Sequence, residues 1–306
     1  MLVAVSACAT IKAQGNSMTT ATNTRATFVR SQGTREFVLY VPATRRASPG
    51  SRALIVMLHG CAQNAADFAT GTRMNGQAES GGFIVLYPEQ PATANPQKCW
   101  NWFTPSQSMR GQGEVALLAE LIDSVATAHT ISANHIALVG MSAGAAMAAN
   151  LMVAYPERFG ALAMHSGIAA RAANDMTSAL SVMRSGPTPG VYASDVSLGA
   201  RAIAAMGSHT RGIPVVLLHG DADKVVVPIN MQAAAQQFTD VNSAASGARA
   251  PVEQHLLPGV GHAWSGGAVE GSYTAPAGPR ATDMIVAFFR RAGVLRSCDG
   301  GTCLQQ

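Results

Sequence analysis

Charge is scarce in this chain. Asp, Glu, Lys and Arg make up 12% of the 306 residues, and the formal net charge is only +4. The cations are nearly all Arg and are scattered, with no basic run. That excludes the electrostatic footprint of a nucleic-acid or membrane-surface binder, and no nucleic-acid partner is expected. Hydrophobic residues at 48% exclude a disordered chain. No stretch is long and apolar enough to span a bilayer. No Cys pair has C-x-x-C spacing and no Cys/His cluster is visible, so neither a metal site nor another cofactor is expected. No linker and no internal repeat divides the chain, which favours one domain.

Cysteine is sparse but suggestive. Cys298 and Cys303 bracket a short Asp-Gly-Gly-Thr loop that a disulfide would close. Cys61 and Cys99 could form a second bridge, and two bridges imply an oxidising, extracellular or periplasmic compartment. The alternative is five reduced thiols. The first eight residues are apolar but lack a basic start and a full hydrophobic stretch, as a remnant of an export signal would. Val5-Ser6-Ala7-Cys8 resembles a lipobox, whose Cys8 would carry a lipid anchor. Residues 1–27 are therefore expected to be a lead-in, mobile over the Thr-, Ala- and Asn-rich part.

What remains alternates between two periods. Residues 35–41, 53–58, 82–87, 135–139, 161–165, 214–218 and 252–257 read as strands, the last of these ending the sheet. The run at 53–58 is continuously apolar, as a central parallel strand requires. Helices are predicted within 67–79, over 114–127, from 143 and over 230–240, and at 283–291 with Met284, Ile285, Phe288 and Phe289 inward. Residues 91–113 form a long aromatic loop, and 166–212 a mixture of loop and small helices. This order predicts an α/β chain, with a mostly parallel central sheet and helices on both faces. Ligands then bind outside the carboxyl ends of the strands. His59, Ser142, Asp223 and the segment before His262 all follow apolar strand runs, so they gather at one edge.

The central stretch is Gly140-Met141-Ser142-Ala143-Gly144, set between a buried strand and an Ala-rich helix. Strand, tight turn and helix make the setting of a nucleophile elbow, the mark of the α/β-hydrolase fold. A serine hydroxyl needs a base, and the base needs an orienting carboxylate. In the order Ser, acid, His, the chain supplies His219-Gly220-Asp221-Ala222-Asp223 and then Gly261-His262. By analogy with such turns Asp223 is the acid, while Asp221 shapes the turn. His262 is the base; His59 and His219 hold loop backbone. The N–H groups of Cys61 and Ala143 are expected to bind the oxyanion. A Cys61–Cys99 bridge would hold the first of these rigid. Trp100, Trp102 and Trp264 are candidate walls of a substrate groove, or ordinary packing residues.

Taken together, the stretches 58–63 (LHGCAQ), 83–88 (FIVLYP), 99–103 (CWNWF), 110–114 (RGQGE), 140–144 (GMSAG), 219–223 (HGDAD) and 261–267 (GHAWSGG) resemble the extracellular poly(3-hydroxybutyrate) depolymerase family of esterases. That group is related to feruloyl and acetylxylan esterases. The likeness implies Ser142 as nucleophile, Asp223 as acid and His262 as base. It implies secretion, and substrates with short hydroxyacyl ester units. Polymer-degrading members usually carry a further substrate-binding domain. Here residues 28–306 are expected to be a single catalytic domain without one, and a monomer. A carbohydrate esterase is the alternative within the class, and a non-catalytic binding protein the alternative outside it.

Overall fold

A computed structural model describes residues 20–43, 52–187, 196–247 and 250–295, together with the backbone of 298–299 and 302–303. The strands are β1 Thr22–Arg30, β2 Gly33–Val41, β3 Leu54–Leu58, β4 Ile84–Glu89, β5 Ile136–Met141, β6 Ala161–His165, β7 Val215–Gly220 and β8 Val252–Leu257. Short pairs β9 Trp264–Ser265 with β10 Thr274–Ala275, and β11 Cys298–Asp299 with β12 Thr302–Cys303, follow. The helices are α1 Ala65–Thr72, α2 Met74–Gly81, α3 Pro105–Ser108, α4 Gly113–Ala128, α5 Ala143–Ala154, α6 Met176–Ser185, α7 Leu198–Met206, α8 Ile229–Ala244 and α9 Ala281–Arg291.

Eight strands form one sheet in the order β1-β2-β4-β3-β5-β6-β7-β8. From β4 to β8 the pairings are parallel, whereas β1 and β2 are antiparallel additions at one side. The alternation of β3 explains the two layers. Leu54, Val56 and Leu58 point into a core shared with α4, α5, α7 and α8. Ile55 and Met57 point into a second core shared with α1, α2 and α9. A strand covered on both faces must be apolar at every position, which is what residues 54–58 are.

The parallel register aligns the strand ends. Leu58 pairs with Gly140, Met141 with His165, His165 with Leu218, and Gly220 with Leu257. The loops after β3, β5, β7 and β8 therefore open on one edge, as the linear pattern requires.

Three expectations change. The lead-in is not unstructured throughout: residues 22–27 belong to β1. That strand lies at the sheet edge and buries only Phe28, so its polar sequence shows no alternating signal. The predicted helix within 67–79 is two helices, broken at Arg73, whose φ is 55°. The strand predicted over 82–87 does not stop before Pro88 but continues to Glu89. There β4 pairs only with β2, because its ladder with β3 ends at Leu86. A proline with no N–H is tolerated on a side with no partner.

Candidate active site

The elbow is built by close approach. A Cβ on Gly140 would overlap the backbone of Gly144, and one on Gly144 would run into the carbonyl oxygens of Leu58 and His59. Only glycine lets α5 start directly against the ends of β5 and β3. Between them Ser142 sits at φ 55° and ψ −123°, a strained backbone for a residue with a side chain. Its N–H donates to the His165 carbonyl at 2.9 Å, which pins the strained peptide to β6. The serine then stands at the N-terminus of a fully buried helix, where the free N–H groups favour negative charge.

The structure brings Ser142, His262 and Asp223 together. His262 Nδ1 lies 2.7 Å from Asp223 Oδ2, and His262 Nε2 lies 2.8 Å from Ser142 Oγ. A carboxylate only accepts, so Nδ1 carries the proton and donates to Asp223. Nε2 is then unprotonated and accepts the Ser142 hydroxyl. Asp223 is 3% exposed and Ser142 7% exposed.

Asp223 is heavily partnered. Its Oδ1 accepts the Val225 and Val226 N–H groups at 2.9 Å each. His219 Nε2 donates to the Val226 carbonyl at 2.7 Å and lies 3.4 Å from Asp223 Oδ2. Burial alone would raise this carboxyl, but the bonds from His219, His262 and the Val226 N–H outweigh it and hold it well below the usual carboxylate range. Asp223 thus stays ionised and faces His262. Asp221 instead accepts the Gly259 N–H at 2.7 Å, fixing the turn before the His262 loop.

His59 and His165 are neutral struts. His59 donates from Nδ1 to the Gly60 carbonyl at 2.7 Å and accepts the Gln90 N–H on Nε2 at 3.0 Å. Burial pushes its pKa down to about 4. His165 accepts the Ser265 N–H at 3.2 Å and stacks on Trp264, with ring centroids 5.0 Å apart. Burial pushes its pKa down to about 3.

Cys61 follows β3 and is bonded to Cys99. Gly60 beside it lies against Ser142: a Cβ there would stand 3.6 Å from Ser142 Cβ. The β11–β12 register sets Cys298 opposite Cys303, but their side chains, like Cys8, lie outside the described residues.

The groove wall expected of the three tryptophans is not formed. Trp100, Trp102 and Trp264 are 0%, 3% and 1% exposed, and the structure places them in the interior. Trp100 donates to the His59 carbonyl at 3.0 Å, and Trp264 donates to Thr282 Oγ1 at 3.1 Å. The Trp102 carbonyl accepts from Asn150 at 2.8 Å. A large apolar ring that finds a partner for its N–H packs inside at little polar cost.

Sequence reasoning missed a buried polar group behind the Cys61 loop. Arg35 donates to Gln90 Oε1 at 2.5 Å, and Gln90 donates to the Cys99 carbonyl at 3.0 Å and to Glu114 at 2.5 Å. Glu114 also accepts the Asn101 N–H at 2.9 Å. Arg35 opens the strand predicted over 35–41 and Glu114 the helix predicted over 114–127, but only the fold pairs them.

The family model described as esterase PHB depolymerase matches residues 35–255. The chain belongs to that family. It is 32% identical over 215 residues to poly(3-hydroxyalkanoate) depolymerase C of Paucimonas lemoignei, covering 70% of this chain and 50% of that protein. Acetylxylan esterase A of Emericella nidulans is 28% identical over 208 residues, covering 67% of this chain and 66% of that protein. The chain spans about half the length of the depolymerase it matches. Among solved structures, acetyl xylan esterase from Aspergillus awamori superimposes with a TM-score of 0.62 at 20% identity, over 78% of this chain and 94% of that one. The family's fold is thus an α/β-hydrolase, with the mostly parallel sheet described above.

Proposed function

We propose that the chain is a secreted serine esterase. It hydrolyses ester bonds of poly(3-hydroxybutyrate) or related short hydroxyalkanoate oligomers through an acyl-enzyme. The observation that carries this reading is the continuous relay from Asp223 through His262 to Ser142 on a strained elbow. Membership of the depolymerase family supports the substrate class. The Cys61–Cys99 bridge supports an oxidising compartment. Among the described residues no helix is long and apolar enough to cross a membrane.

The chemistry follows from the geometry. Ser142 Oγ attacks the ester carbonyl carbon while His262 Nε2 takes its proton. Ionised Asp223 stabilises the imidazolium that forms. The carbonyl oxygen becomes an oxyanion, held by the N–H groups of Cys61 and Ala143. When the C–O bond to the alcohol breaks, His262 returns the proton to the leaving oxygen. Water then attacks the acyl carbon, giving a proton to His262 Nε2, and the acid leaves as Ser142 Oγ recovers that proton.

A carbohydrate esterase is the second reading, favoured by the similarity to acetylxylan esterase A over two-thirds of each chain. A substrate panel separates the readings: 3-hydroxybutyrate oligomers, acetylated xylan and feruloylated polysaccharide, with Ser142→Ala as control. Release of 3-hydroxybutyrate is expected. Release of acetate or ferulate alone would favour the second reading. No release above the control from any of them would leave a non-catalytic binding protein.

A further inference from the structure

One buried amide joins the loop after β3 to the loop that follows His262. Gln63 is 2% exposed. Its Oε1 accepts the Gly60 N–H at 2.9 Å. Its Nε2 donates to Asp67 Oδ2 at 3.1 Å and to the Ser272 carbonyl at 3.1 Å, with Ser272 Oγ at 3.3 Å. Asp67 in turn accepts the Ser272 N–H at 2.8 Å and the Ser272 hydroxyl. A carboxylate and a carbonyl both accept only, so the NH2 end of Gln63 must face them. The carbonyl end must then face Gly60. The amide has one orientation, set from a loop 209 positions away.

The Gly60–Cys61 peptide is held on both flanks. On one, Cys61 is bonded to Cys99, and the Ala62 N–H donates to the Gln97 carbonyl at 2.7 Å. On the other, Gln63 is the acceptor for Gly60. The same Oε1 would lie 3.2 Å from a Cβ on Gly60, so it packs against the turn as well as bonding it. An oxyanion donor contributes only where it is already aimed at the forming charge, and small misplacements are costly.

We propose that Gln63 is a positioning residue for acyl transfer. It aims the Cys61 N–H at the oxyanion, and through Asp67 and Ser272 it ties that donor to the loop beyond the base. The proposal rests on the oxyanion role given to Cys61 above. It concerns a side chain whose hydrogen bonds run to Gly60, Asp67 and Ser272.

The test uses the full chain, a soluble p-nitrophenyl butyrate ester, and the infrared carbonyl stretch of the Ser142 acyl-enzyme. Gln63→Ala is expected to lower kcat by roughly 10- to 100-fold and leave KM within about twofold, because the lost bonding acts on the transition state. The acyl carbonyl should shift toward its frequency in solution. Gln63→Glu keeps an acceptor for Gly60 but sets a carboxylate against Asp67, so it should act in the same direction. Adding Asp67→Asn restores a donor–acceptor pair of reversed polarity and should recover part of the rate. Asp67→Ala, at a half-exposed position, covers the case in which Gln63→Ala does not fold, with a loss of roughly three- to tenfold.

The two readings fail differently. A wild-type acyl carbonyl at the solution frequency would remove the Cys61 and Ala143 assignment, and Gln63 with it. A shifted wild-type carbonyl, with frequency and kcat unchanged in the Gln63 and Asp67 variants, would keep that assignment and overturn the positioning role. A lowered melting temperature alone, with kcat and frequency intact, would also overturn it.

Discussion

Ser142 Oγ lies 2.8 Å from His262 Nε2, although 120 positions separate the two residues. The contact exists because β5 and β8 end on the same edge of one parallel sheet, with β6 and β7 between them. Replacing Ser142 by Ala removes the proposed nucleophile and nothing the core needs. Hydrolysis of p-nitrophenyl butyrate should fall by about 10⁴-fold or more. The far-ultraviolet circular dichroism should stay that of the parent.

The strained elbow predicts a second effect at the same residue. Ser142 holds φ 55°, ψ −123°, a region that suits glycine. Ser142→Gly should therefore be more stable than Ser142→Ala, by about 1 kcal/mol in urea unfolding. Equal midpoints would show that the elbow stores no strain at this position.

Asp223→Asn keeps the shape of the acid and removes its charge. The amide can still accept from the Val225 and Val226 N–H groups on Oδ1, but its NH2 then faces His262 and donates to Nδ1, which moves the ring proton to Nε2 and removes the acceptor for the Ser142 hydroxyl. A fall in kcat of roughly 10³- to 10⁴-fold is expected, with a smaller change in KM.

Stability should depend on pH in one direction. His59 and His165 are neutral in the fold, with burial lowering their pKa to about 4 and about 3. In the unfolded chain each takes up a proton near the ordinary value of about 6.5. Between these values the unfolded state binds more protons, so stability is complete above about pH 6.5 and is lost as pH falls toward about 4 and below. Asp223, held low, adds a loss of the same sign further down. Urea midpoints should be flat from about pH 8 to 7 and decline steadily below about 6. A flat profile down to about pH 4.5 would contradict the neutral assignment of both rings.

The Cys61–Cys99 bridge closes a separation of 38 residues. Loop-closure entropy for that span corresponds to about 4 kcal/mol. Reduction should lower the melting temperature. It should also slow turnover below the melting range, because Cys61 is freed from the loop that carries Trp100. A loss of stability with kcat intact would confine the bridge to a structural role.

Much of this was legible in the linear chain. The apolar runs at 54–58, 136–141 and 215–218 are buried on both faces, and burial on both faces demands an unbroken apolar sequence. The elbow glycines are local, since their need comes from contacts within one strand–turn–helix and its neighbour. The order Ser142, Asp223, His262 follows from where strands end. Polar edge strand β1 left no such trace, because only Phe28 is buried and one buried position imposes no alternation on its residues.

The tertiary structure decided what depends on distance. Whether Trp100, Trp102 and Trp264 face substrate or core turns on partners such as the His59 carbonyl and Thr282, which composition cannot reveal. The clamp from Gln63 to Asp67 and Ser272 is of the same kind. Hydrogen bonds act over about 3 Å, so a side chain's partner is set by the packing of the whole sheet rather than by its neighbours in sequence. The sequence by itself determined the elbow, the strand ends and the types of group they carry. Only the folded chain determined which of those groups meet.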